Sequence, residues 1–290
     1  MRIINFGSLN IDRVYTVDHL VTPGETLLSI GYAEFAGGKG LNQSIALARA
    51  GAKVLHAGKI GHDGLFLKEL LDKSGADASS VFMDDGPSGH AIIQVDSNAE
   101  NSILLFGGAN QLITENEVRD VLDKTDNGDW LLLQNEISQT SVIMEYARKK
   151  KLTIVFNPAP MTPDVMTLPL ETVNWLIINE VEGKAMTGHD APEETLSDII
   201  VKYPHISVIL TLGKNGVHFA NHSTRHFIPA EAVDPVDTTG AGDTFTGFFL
   251  SELIAGTSVI DSLITANKAA AICVTRNGAT DSIPFKKELL

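Results

Sequence analysis

The sequence is short of cysteine and of long apolar runs. Its single cysteine, Cys273, cannot form an internal disulfide or a zinc site with several cysteine ligands, so we expect a reducing compartment. Nothing in it approaches the roughly eighteen consecutive apolar residues of a membrane span. Asn5 and Asp12 interrupt the first apolar residues too early for a signal peptide. The sequence therefore predicts a cytoplasmic protein that does not enter the membrane.

Basic residues are also scarce. The 22 lysines and arginines stand against 36 aspartates and glutamates, which leaves a formal net charge of −14. A nucleic-acid binder needs a concentrated basic surface, so this class of function is excluded. A small anionic ligand is not excluded, because a few backbone N–H groups can hold a phosphate without any net positive charge.

Several catalytic signatures are missing as well. The sequence has no Gly-x-x-x-x-Gly-Lys-Ser/Thr P-loop, no protein-kinase catalytic loop or Asp-Phe-Gly segment, and no Gly-x-Ser-x-Gly nucleophile elbow. His218, His222 and His226 are spaced by four residues, but residues 221–224 between two apolar runs indicate a hairpin turn. A turn breaks the helical face that such a metal site would need, so we assign no metal to these histidines.

What the sequence does contain is an alternation of short apolar runs with helical segments. Runs rich in Val, Ile and Leu predict buried parallel strands at 3–6, 54–57, 130–133, 153–156, 175–178 and 208–212. The pattern predicts helices at 39–50, 65–74, 114–122, 140–150, 193–201, 241–255 and 258–275. With 43% hydrophobic residues for a core, this alternation predicts an α/β fold whose central, mostly parallel sheet is sandwiched by helices.

Two segments break this alternation. Residues 11–36 and 81–105 alternate between apolar and polar side chains and contain turn signals at Pro23-Gly24 and Gly86-Pro87. We interpret them as antiparallel strands of a small inserted sheet that forms a lid; an edge extension of the main sheet is the alternative. Under the first interpretation, residues 1–290 form one α/β domain with an interleaved lid.

The most informative segment is Asp237-Thr238-Thr239-Gly240-Ala241-Gly242-Asp243, which directly precedes an apolar helical run. Its glycines let backbone N–H groups gather at a helix N-terminus, where unpaired donors and the helix dipole favour an anion. A carboxylate at Asp243, aimed at an alcohol beside donors that neutralise a transferring phosphoryl group, is the minimum equipment for phosphoryl transfer. The alternative is that Asp243 only stabilises the first turn of the helix.

A second glycine-rich segment, Gly37-Gly38-Lys39-Gly40-Leu41-Asn42-Gln43, leads into the helix predicted at 39–50. Its glycines let a ligand approach the backbone closely, and Asn42 can form hydrogen bonds with neutral hydroxyls. A strand-to-helix turn without a ligand would have the same composition, so the segment alone does not decide between the two.

Polar side chains follow several of the predicted strands. Asn10 and Asp12 lie two residues apart after the first strand, and an amide beside a carboxylate suits a polyol, although a capped turn also explains the pair. Glu136 and Asn179 follow two later strands. Because ligands of open α/β sheets bind at the carboxyl ends of the strands, these side chains are candidate ligand contacts.

Taken in order, these segments resemble the ribokinase-like carbohydrate kinase family from about residue 3 to residue 285, nearly the whole chain. The resemblance rests on Asn10-x-Asp12, the segment 37–43, Asn179-x-x-Glu182 and the segment 237–243. Four further segments are similar to those of the ribokinase branch: Gly24-Glu25-Thr26, Gly108-Ala109-Asn110, Asn157-Pro158-Ala159-Pro160 and Thr275-Arg276-Asn277-Gly278-Ala279. The resemblance implies transfer of the γ-phosphate of ATP to a sugar, most closely to the 5-hydroxyl of D-ribose. It also implies Mg²⁺, an activating K⁺, and a homodimer formed through the lids.

The resemblance implies roles for individual residues. Asp243 would be the general base, and the backbone N–H groups of Gly240, Ala241 and Gly242 would form the anion hole. The implied sugar-site residues are Asn10, Asp12, Gly38, Lys39, Asn42, Glu136 and Asp243. The implied contacts with the nucleotide, its phosphates and Mg²⁺ are Asn179, Glu182, Thr211, Gly213, Lys214, Gly216, Gly242 and Asn267. The implied monovalent-cation site combines Asp237, Thr239 and Ser282 with the carbonyls of Cys273, Arg276 and Gly278.

Some positions depart from the ribokinase pattern. Leu41 stands where alanine is usual, Asn135 stands where leucine is usual, and Thr238 lies in a segment that is more apolar in ribokinases. These differences do not affect the phosphoryl-transfer residues, so they concern which substrate is bound. The alternatives are a kinase of this family for a nucleoside, fructose or a deoxy-sugar acid, and a non-catalytic sugar or nucleotide sensor. The intact segment Gly240-Ala241-Gly242-Asp243 argues against a sensor, because sensing needs no base.

Overall fold

The computed structural model describes residues 1–98 and 100–289; Ala99, within the segment 81–105, and Leu290 lie outside these ranges. The strands are β1 (Ile3–Phe6), β2 (Asn10–Thr16), β3 (Gly31–Gly37), β4 (Val54–Gly61), β5 (Asp77–Asp84), β6 (Gly89–Val95), β7 (Asn101–Phe106), β8 (Trp130–Gln134), β9 (Thr153–Asn157), β10 (Trp175–Asn179), β11 (Ser207–Thr211), β12 (Val217–Ala220) and β13 (Arg225–Ile228). The α-helices are α1 (Lys39–Arg49), α2 (Leu65–Ser74), α3 (Glu115–Leu122), α4 (Thr140–Lys149), α5 (Glu180–Thr187), α6 (Pro192–Lys202), α7 (Ala241–Ile254) and α8 (Val259–Val274).

The main sheet has nine strands in the order β13-β12-β11-β10-β9-β8-β1-β4-β5. The strands from β11 to β5 in this order run parallel, and β12 and β13 add an antiparallel hairpin at one edge. The predicted parallel strands are confirmed, with small differences: the run at 54–57 continues to Gly61, and the run at 208–212 is Ser207–Thr211. The hairpin turn predicted at 221–224 is also confirmed, and it separates the three histidines onto different strands and a turn.

Helices cover both faces of this sheet. On one face α1, α2, α7 and α8 pack over a core that includes the fully buried Phe248 and Phe249. On the other face α3, α4 and α6 pack over a second core that includes Ile143 and Leu196. Because most central strands are buried on both faces, their sequences are continuous apolar runs, which is why they could be recognised. The predicted α/β architecture, with helices on both sides of the sheet, is confirmed.

The lid is a separate four-stranded sheet in the order β3-β2-β6-β7. It confirms the inserted sheet and excludes the edge extension for β2 and β3. Two details of the prediction are wrong. Residues 81–84 belong to β5, which runs parallel to β4 as the edge strand of the main sheet, and β2 pairs with β6 in parallel, so the lid is not wholly antiparallel. The parallel pair arises because β2 and β6 enter the lid from β1 and β5 of the main sheet, which lie on either side of β4 and run in the same direction.

The sequence pattern does not predict β5 as a whole or α5. β5 is an edge strand in which exposed and buried residues are mixed, and α5 has only eight residues. None of the helices in the described ranges combines the length and the apolar composition that a membrane span requires.

Candidate active site

The candidate site lies where the carboxyl ends of the central strands meet the beginnings of three helices. β1 leads directly into β2, which carries Asn10 and Asp12; α1 begins at Lys39, α5 follows Asn179, and α7 begins at Ala241. In open α/β sheets, ligands bind at the carboxyl ends of the parallel strands. The structure therefore brings the two glycine-rich segments together, although they are about two hundred residues apart in the chain.

Asp243 lies in the first turn of α7, with 8% of its surface exposed. Its Oδ2 accepts a hydrogen bond from Nδ2 of Asn42 at 3.0 Å, and its Oδ1 accepts one from Nε2 of Gln43 at 2.8 Å. Both amides come from the beginning of α1, so two helices fix the carboxylate between them. A carboxylate oxygen can accept more than one hydrogen bond, so Asp243 can still receive a proton from a hydroxyl in the site.

The turn before α7 exposes backbone donors beside Asp243. Gly240 has a φ of +77°, in the left-handed region that glycine adopts most easily. Among the described residues, the N–H groups of Gly240 and Gly242 have no acceptor, whereas the N–H of Ala241 makes a long contact of 3.3 Å with the carbonyl of Thr238. Two of the three predicted anion-hole donors are therefore free for an anion at the positive end of the helix dipole, and the third is partly engaged.

Glu136 is held at the end of β8 by two donors. Its Oε2 accepts hydrogen bonds from the hydroxyl of Ser8 and from the backbone N–H of Lys39, the latter at 2.9 Å. Burial raises the pKa of Glu136, and the neighbouring charge of Asp243 adds to this effect. Nothing in the sequence marks Ser8, because a serine in the connection between β1 and β2 has no distinctive pattern.

Asp12 points into the same space without a hydrogen-bond donor from the described residues. Burial, followed by the charge of Glu136, raises the pKa of Asp12 to about 6. The carboxylate lies against Gly37, where a Cβ would come within 2.1 Å of Oδ2, so a side chain at this position would displace the carboxylate. Asp12 is thus a partly desolvated acceptor that a polyol could satisfy.

Asn10 is positioned by a second asparagine. Its Oδ1 accepts a hydrogen bond from Nδ2 of Asn110 at 2.8 Å, and Oδ1 of Asn110 in turn accepts one from the backbone N–H of Leu9 at 3.1 Å. Both asparagine side chains are buried. Asn110 belongs to a segment that resembles ribokinases, but the sequence gives it no role; in the structure it orients Asn10.

Lys39 faces several carboxylates. The charge of Asp243 raises the pKa of Lys39 most, with smaller contributions from Glu136 and Glu182, while burial opposes them. Among the described residues its ammonium group forms no ion pair with any of the three. A cation that is surrounded by carboxylates but not tied to one can neutralise an incoming phosphoryl group.

Asn179 and Glu182 form the N-terminal capping box of α5. Oδ1 of Asn179 accepts a hydrogen bond from the N–H of Glu182, and Oε2 of Glu182 accepts one from the N–H of Asn179, both at 2.9 Å. Burial raises the pKa of Glu182, which also contributes to the electrostatic environment of Lys39. The pair therefore has a structural role beside the predicted contact with phosphates and Mg²⁺.

A cavity of about 900 Å³ adjoins the beginning of α7. It is lined by the predicted nucleotide residues Thr211, Gly213, Lys214, Gly216, Gly242 and Asn267. Asn267 is held by a hydrogen bond from its Nδ2 to the carbonyl of Pro229 at 3.1 Å. The cavity reaches Gly242, so a ligand that fills it can place an anionic end beside Asp243.

The residues predicted to bind a monovalent cation also come together. The carboxylate of Asp237 accepts hydrogen bonds from the backbone N–H groups of Thr239 and Gly278, each at 2.9 Å, which lowers the pKa of Asp237 although burial opposes this. The Sγ of buried Cys273 lies 3.0 Å from the hydroxyl of Ser282. Arg276 points its side chain away, toward Glu288, so only its carbonyl is available to a cation. These loops are rich in oxygen atoms, which suits a hard cation such as K⁺.

The donor set for Mg²⁺ is sparse. The described residues contain no cluster of three or more His, Cys, Asp or Glu side chains that could hold a metal ion. Mg²⁺ usually keeps several waters and binds substrate phosphates through only one or two protein carboxylates, so a single buried carboxylate such as Glu182 fits it.

Known proteins resemble this chain over nearly its full length. The model of the pfkB family carbohydrate kinases matches residues 2–286. The chain belongs to the pfkB family of carbohydrate kinases.

Relatives within the pfkB family cover nearly the whole chain. A ribokinase of Staphylococcus aureus is 34% identical, covering 99% of this chain and 98% of its own. The structure of a ribokinase from Cryptococcus neoformans in complex with ADP has a TM-score of 0.88 at 34% identity and covers 99% of this chain and 98% of its own. That of an Arabidopsis thaliana ribokinase complexed with ribose and ATP has a TM-score of 0.87 at 28% identity and covers 99% and 97%.

Two departures from the ribokinase pattern lie next to the candidate sugar-site residues Asn42 and Glu136, but their own side chains contact other parts of the fold. Leu41 is fully buried in the core beneath α1. Asn135 donates through Nδ2 to the carbonyl of Pro160 at 2.8 Å and to the hydroxyl of Thr162 at 3.1 Å, so it fastens the loop that follows β9. Neither side chain therefore alters the groups that surround Asp243.

Proposed function

We propose that this chain is an ATP-dependent sugar kinase that transfers the γ-phosphate of ATP to the 5-hydroxyl of D-ribose. Membership of the pfkB family and 34% identity to a bacterial ribokinase over nearly the whole chain support this reaction. The observation that carries it is the position of Asp243. Its carboxylate is held by two amides, between polar side chains suited to a polyol and a cavity large enough for a nucleotide.

Ribose suits the groups around Asp243. Asp12 and Glu136 offer carboxylate oxygens, and Oδ1 of Asn42 is a buried acceptor without a partner among the described residues. Hydroxyl groups donate hydrogen bonds to such acceptors, and a buried acceptor that stays unpaired is costly. Carboxylates facing the sugar disfavour a sugar acid, because its carboxylate would be repelled. A neutral polyol is therefore the substrate class that the pocket favours.

The transfer step needs a base, an anion site and a cation. Asp243 takes the proton of the sugar hydroxyl while the oxygen of that hydroxyl forms a bond to the γ-phosphorus of ATP. The bond between the γ-phosphorus and the oxygen that bridges it to the β-phosphate breaks, and ADP is released. The N–H groups of Gly240 and Gly242 stabilise the charge on the transferring group, together with the ammonium of Lys39. Burial of the site excludes the water that would otherwise hydrolyse ATP.

Two cations complete the proposal. Mg²⁺ would neutralise the phosphates of ATP, with Glu182 and Asn179 as the nearby protein side chains. K⁺ would bind between the loops that carry Asp237 and Gly278, where it would hold the turn before α7 in place.

We further propose that two copies of the chain associate through their lids. All six residues of β7 are exposed, although Ile103, Leu104, Leu105 and Phe106 are apolar. Apolar patches of this kind are uncommon on the surface of monomers and mark interaction sites. A second lid is the complementary surface, because it carries the same apolar strand.

The test of the proposed function is Asp243→Asn. We expect kcat for ribose phosphorylation, measured by coupled ADP release, to fall by roughly 10²-fold or more, with ribose affinity largely kept. The matched control is Asp261→Asn, which changes another first-turn acid, in α8, without touching the site. If Asp243 only stabilised its helix, both variants would behave alike and both would keep near-normal turnover. The same assay over 2-deoxyribose, fructose, nucleosides and sugar acids tests the choice of ribose.

A further inference from the structure

A chain of buried amides leads away from Asp243 beneath the glycine-rich segment. Gln43, Gln134 and Asn5 are each at most 1% exposed. Nε2 of Gln134 donates to Oε1 of Gln43 at 2.7 Å and to Oδ1 of Asn5 at 2.9 Å. Nε2 of Gln43 then donates to Oδ1 of Asp243 at 2.8 Å. These contacts join residues from β1, β8, α1 and α7 in one polar chain within the apolar interior.

The direction of every hydrogen bond in this chain is set at its far end. Nδ2 of Asn5 donates to the carbonyl of Gly40 at 2.8 Å, and a carbonyl can only accept. Oδ1 of Asn5 must then be the acceptor for Gln134, whose Nε2 must also donate to Oε1 of Gln43. The amide of Gln43 is thereby left with its N–H groups toward Asp243.

A second backbone carbonyl imposes the same orientation independently. Nδ2 of Asn157 donates to the carbonyl of Ile177 at 2.9 Å, so its Oδ1 is an acceptor and receives a hydrogen bond from Nε2 of Gln43 at 3.1 Å. Gln43 therefore uses one N–H for Asn157 and the other for Asp243. Two carbonyls that cannot donate determine which face of this amide meets the carboxylate.

We propose that Gln43 is a positioning residue for phosphoryl transfer, which keeps the carboxylate of Asp243 correctly rotated through a donor whose orientation the buried amide chain fixes. Being fully buried, Gln43 does not touch the sugar or the nucleotide, so it acts only through Asp243. The inference rests on the proposed role of Asp243 as the base. It adds that the base needs the hydrogen bond from Gln43 as well as the one from Asn42.

The charged groups around Asp243 explain why a neutral donor is needed. Lys39 from α1, Glu136 after β8 and Glu182 from α5 all interact electrostatically with Asp243. Two of these three are carboxylates, and Lys39 is the cation among them. A second lysine would hold the base in an ion pair, whereas a neutral amide N–H orients the carboxylate and leaves it able to accept a proton.

The test compares Gln43→Met and Gln43→Glu with wild type. Met has a similar volume but no donor, and Glu places an oxygen against Oδ1 of Asp243. We expect kcat to fall roughly 10- to 100-fold in Gln43→Met and further in Gln43→Glu, with ribose and ATP dissociation constants changed less than about threefold. We also expect the acid limb of the kcat–pH profile of Gln43→Met to move up by about one pH unit.

Two further variants separate this role from a loss of folding. Gln134→Met removes the orienting contact one step from Asp243 and should reproduce a weaker form of the same kcat and pH effects. Ser251→Ala removes a buried hydrogen bond of 3.1 Å to the carbonyl of Ala50, across the same pair of helices but far from the site. It should lower thermal stability with no shift of the pH profile.

The outcomes distinguish this inference from the proposed function. If Asp243→Asn is inactive but folded Gln43→Met keeps normal kcat and an unshifted profile, Gln43 is a packing residue and the inference is wrong. If Asp243→Asn itself keeps normal turnover, the base has been misassigned and the proposed function fails first. A loss of kcat in Gln43→Met that parallels the loss of folded protein, with no shift of the acid limb, also overturns the positioning role.

Discussion

Asp12 offers a test in which stability and function should change in opposite directions. Burial and the charge of Glu136 raise the pKa of Asp12 from 3.8 to about 6, and no described residue donates a hydrogen bond to it. Since one pKa unit corresponds to about 1.4 kcal/mol, ionised Asp12 destabilises the ligand-free fold by roughly 3 kcal/mol. Asp12→Asn has the same shape without the charge. We therefore expect it to stabilise the ligand-free protein by up to about 3 kcal/mol above pH 7.

The sign of the pH dependence follows from the raised pKa. The folded state holds the proton of Asp12 more tightly than the unfolded chain, so this contribution favours folding at low pH and is lost as the pH rises through about 6. The advantage of Asp12→Asn should accordingly shrink to about half at pH 5 and largely vanish near pH 4. Urea unfolding of the ligand-free protein at several pH values measures it, with the exposed Asp85→Asn as the control.

The same substitution should damage sugar binding. Replacing an ionised acceptor by an amide should weaken the ribose complex by roughly 1.5–3 kcal/mol, which titration calorimetry at pH 8 would detect. A variant that is equally stable at pH 8 and pH 4 relative to wild type would refute the assignment of a desolvated carboxylate. A stabilised variant with unchanged ribose affinity would instead remove Asp12 from the sugar site.

Three other expectations concern binding and assembly. Asn42→Ala should weaken ribose binding by roughly 1–3 kcal/mol, because a buried acceptor for a hydroxyl is removed; unchanged affinity in calorimetry would contradict it. Asp237→Asn should raise the K⁺ concentration for half-maximal activity roughly tenfold or more, measured against a large organic cation, and K⁺-independent wild-type activity would refute the site. The substitutions Ile103→Asp and Leu105→Asp introduce charges on β7 and should convert a lid-mediated dimer to monomers, as measured by sedimentation. A wild-type protein that is itself monomeric would contradict the proposal.

The parts of the fold that could be predicted are those with a local cause. The central strands are apolar because helices cover both sides of the sheet, and polar side chains such as Glu136 stand out at their ends. The direction of pairing in the lid has no local cause. β2 and β6 are separated by more than seventy residues, and nothing in either segment specifies that they run parallel.

In the candidate site, too, the residues that could be predicted are those with a local cause. Asp243 and Asn42 could be found from glycine-rich segments beside helix starts, whereas Ser8 and Asn110 could not, because each acts only through a contact with a distant residue. Gln134 likewise reaches Gln43 across 91 positions of sequence. The capping box of α5 did carry a signal, since Asn179 and Glu182 have the spacing that this motif requires.

The placement of the two ligand regions has a consequence for the catalytic cycle. The nucleotide cavity is lined by residues between Thr211 and Val274, and none of them comes from the lid. Asn10 and Asp12, in contrast, lie on β2, the lid strand that β1 leads into. On the proposed assignment we expect ADP to leave and ATP to enter while the lid stays in position, whereas exchange of the sugar would displace the strand that recognises it. The two products would then leave by separate routes, and only the release of the phosphorylated sugar would depend on movement of the lid.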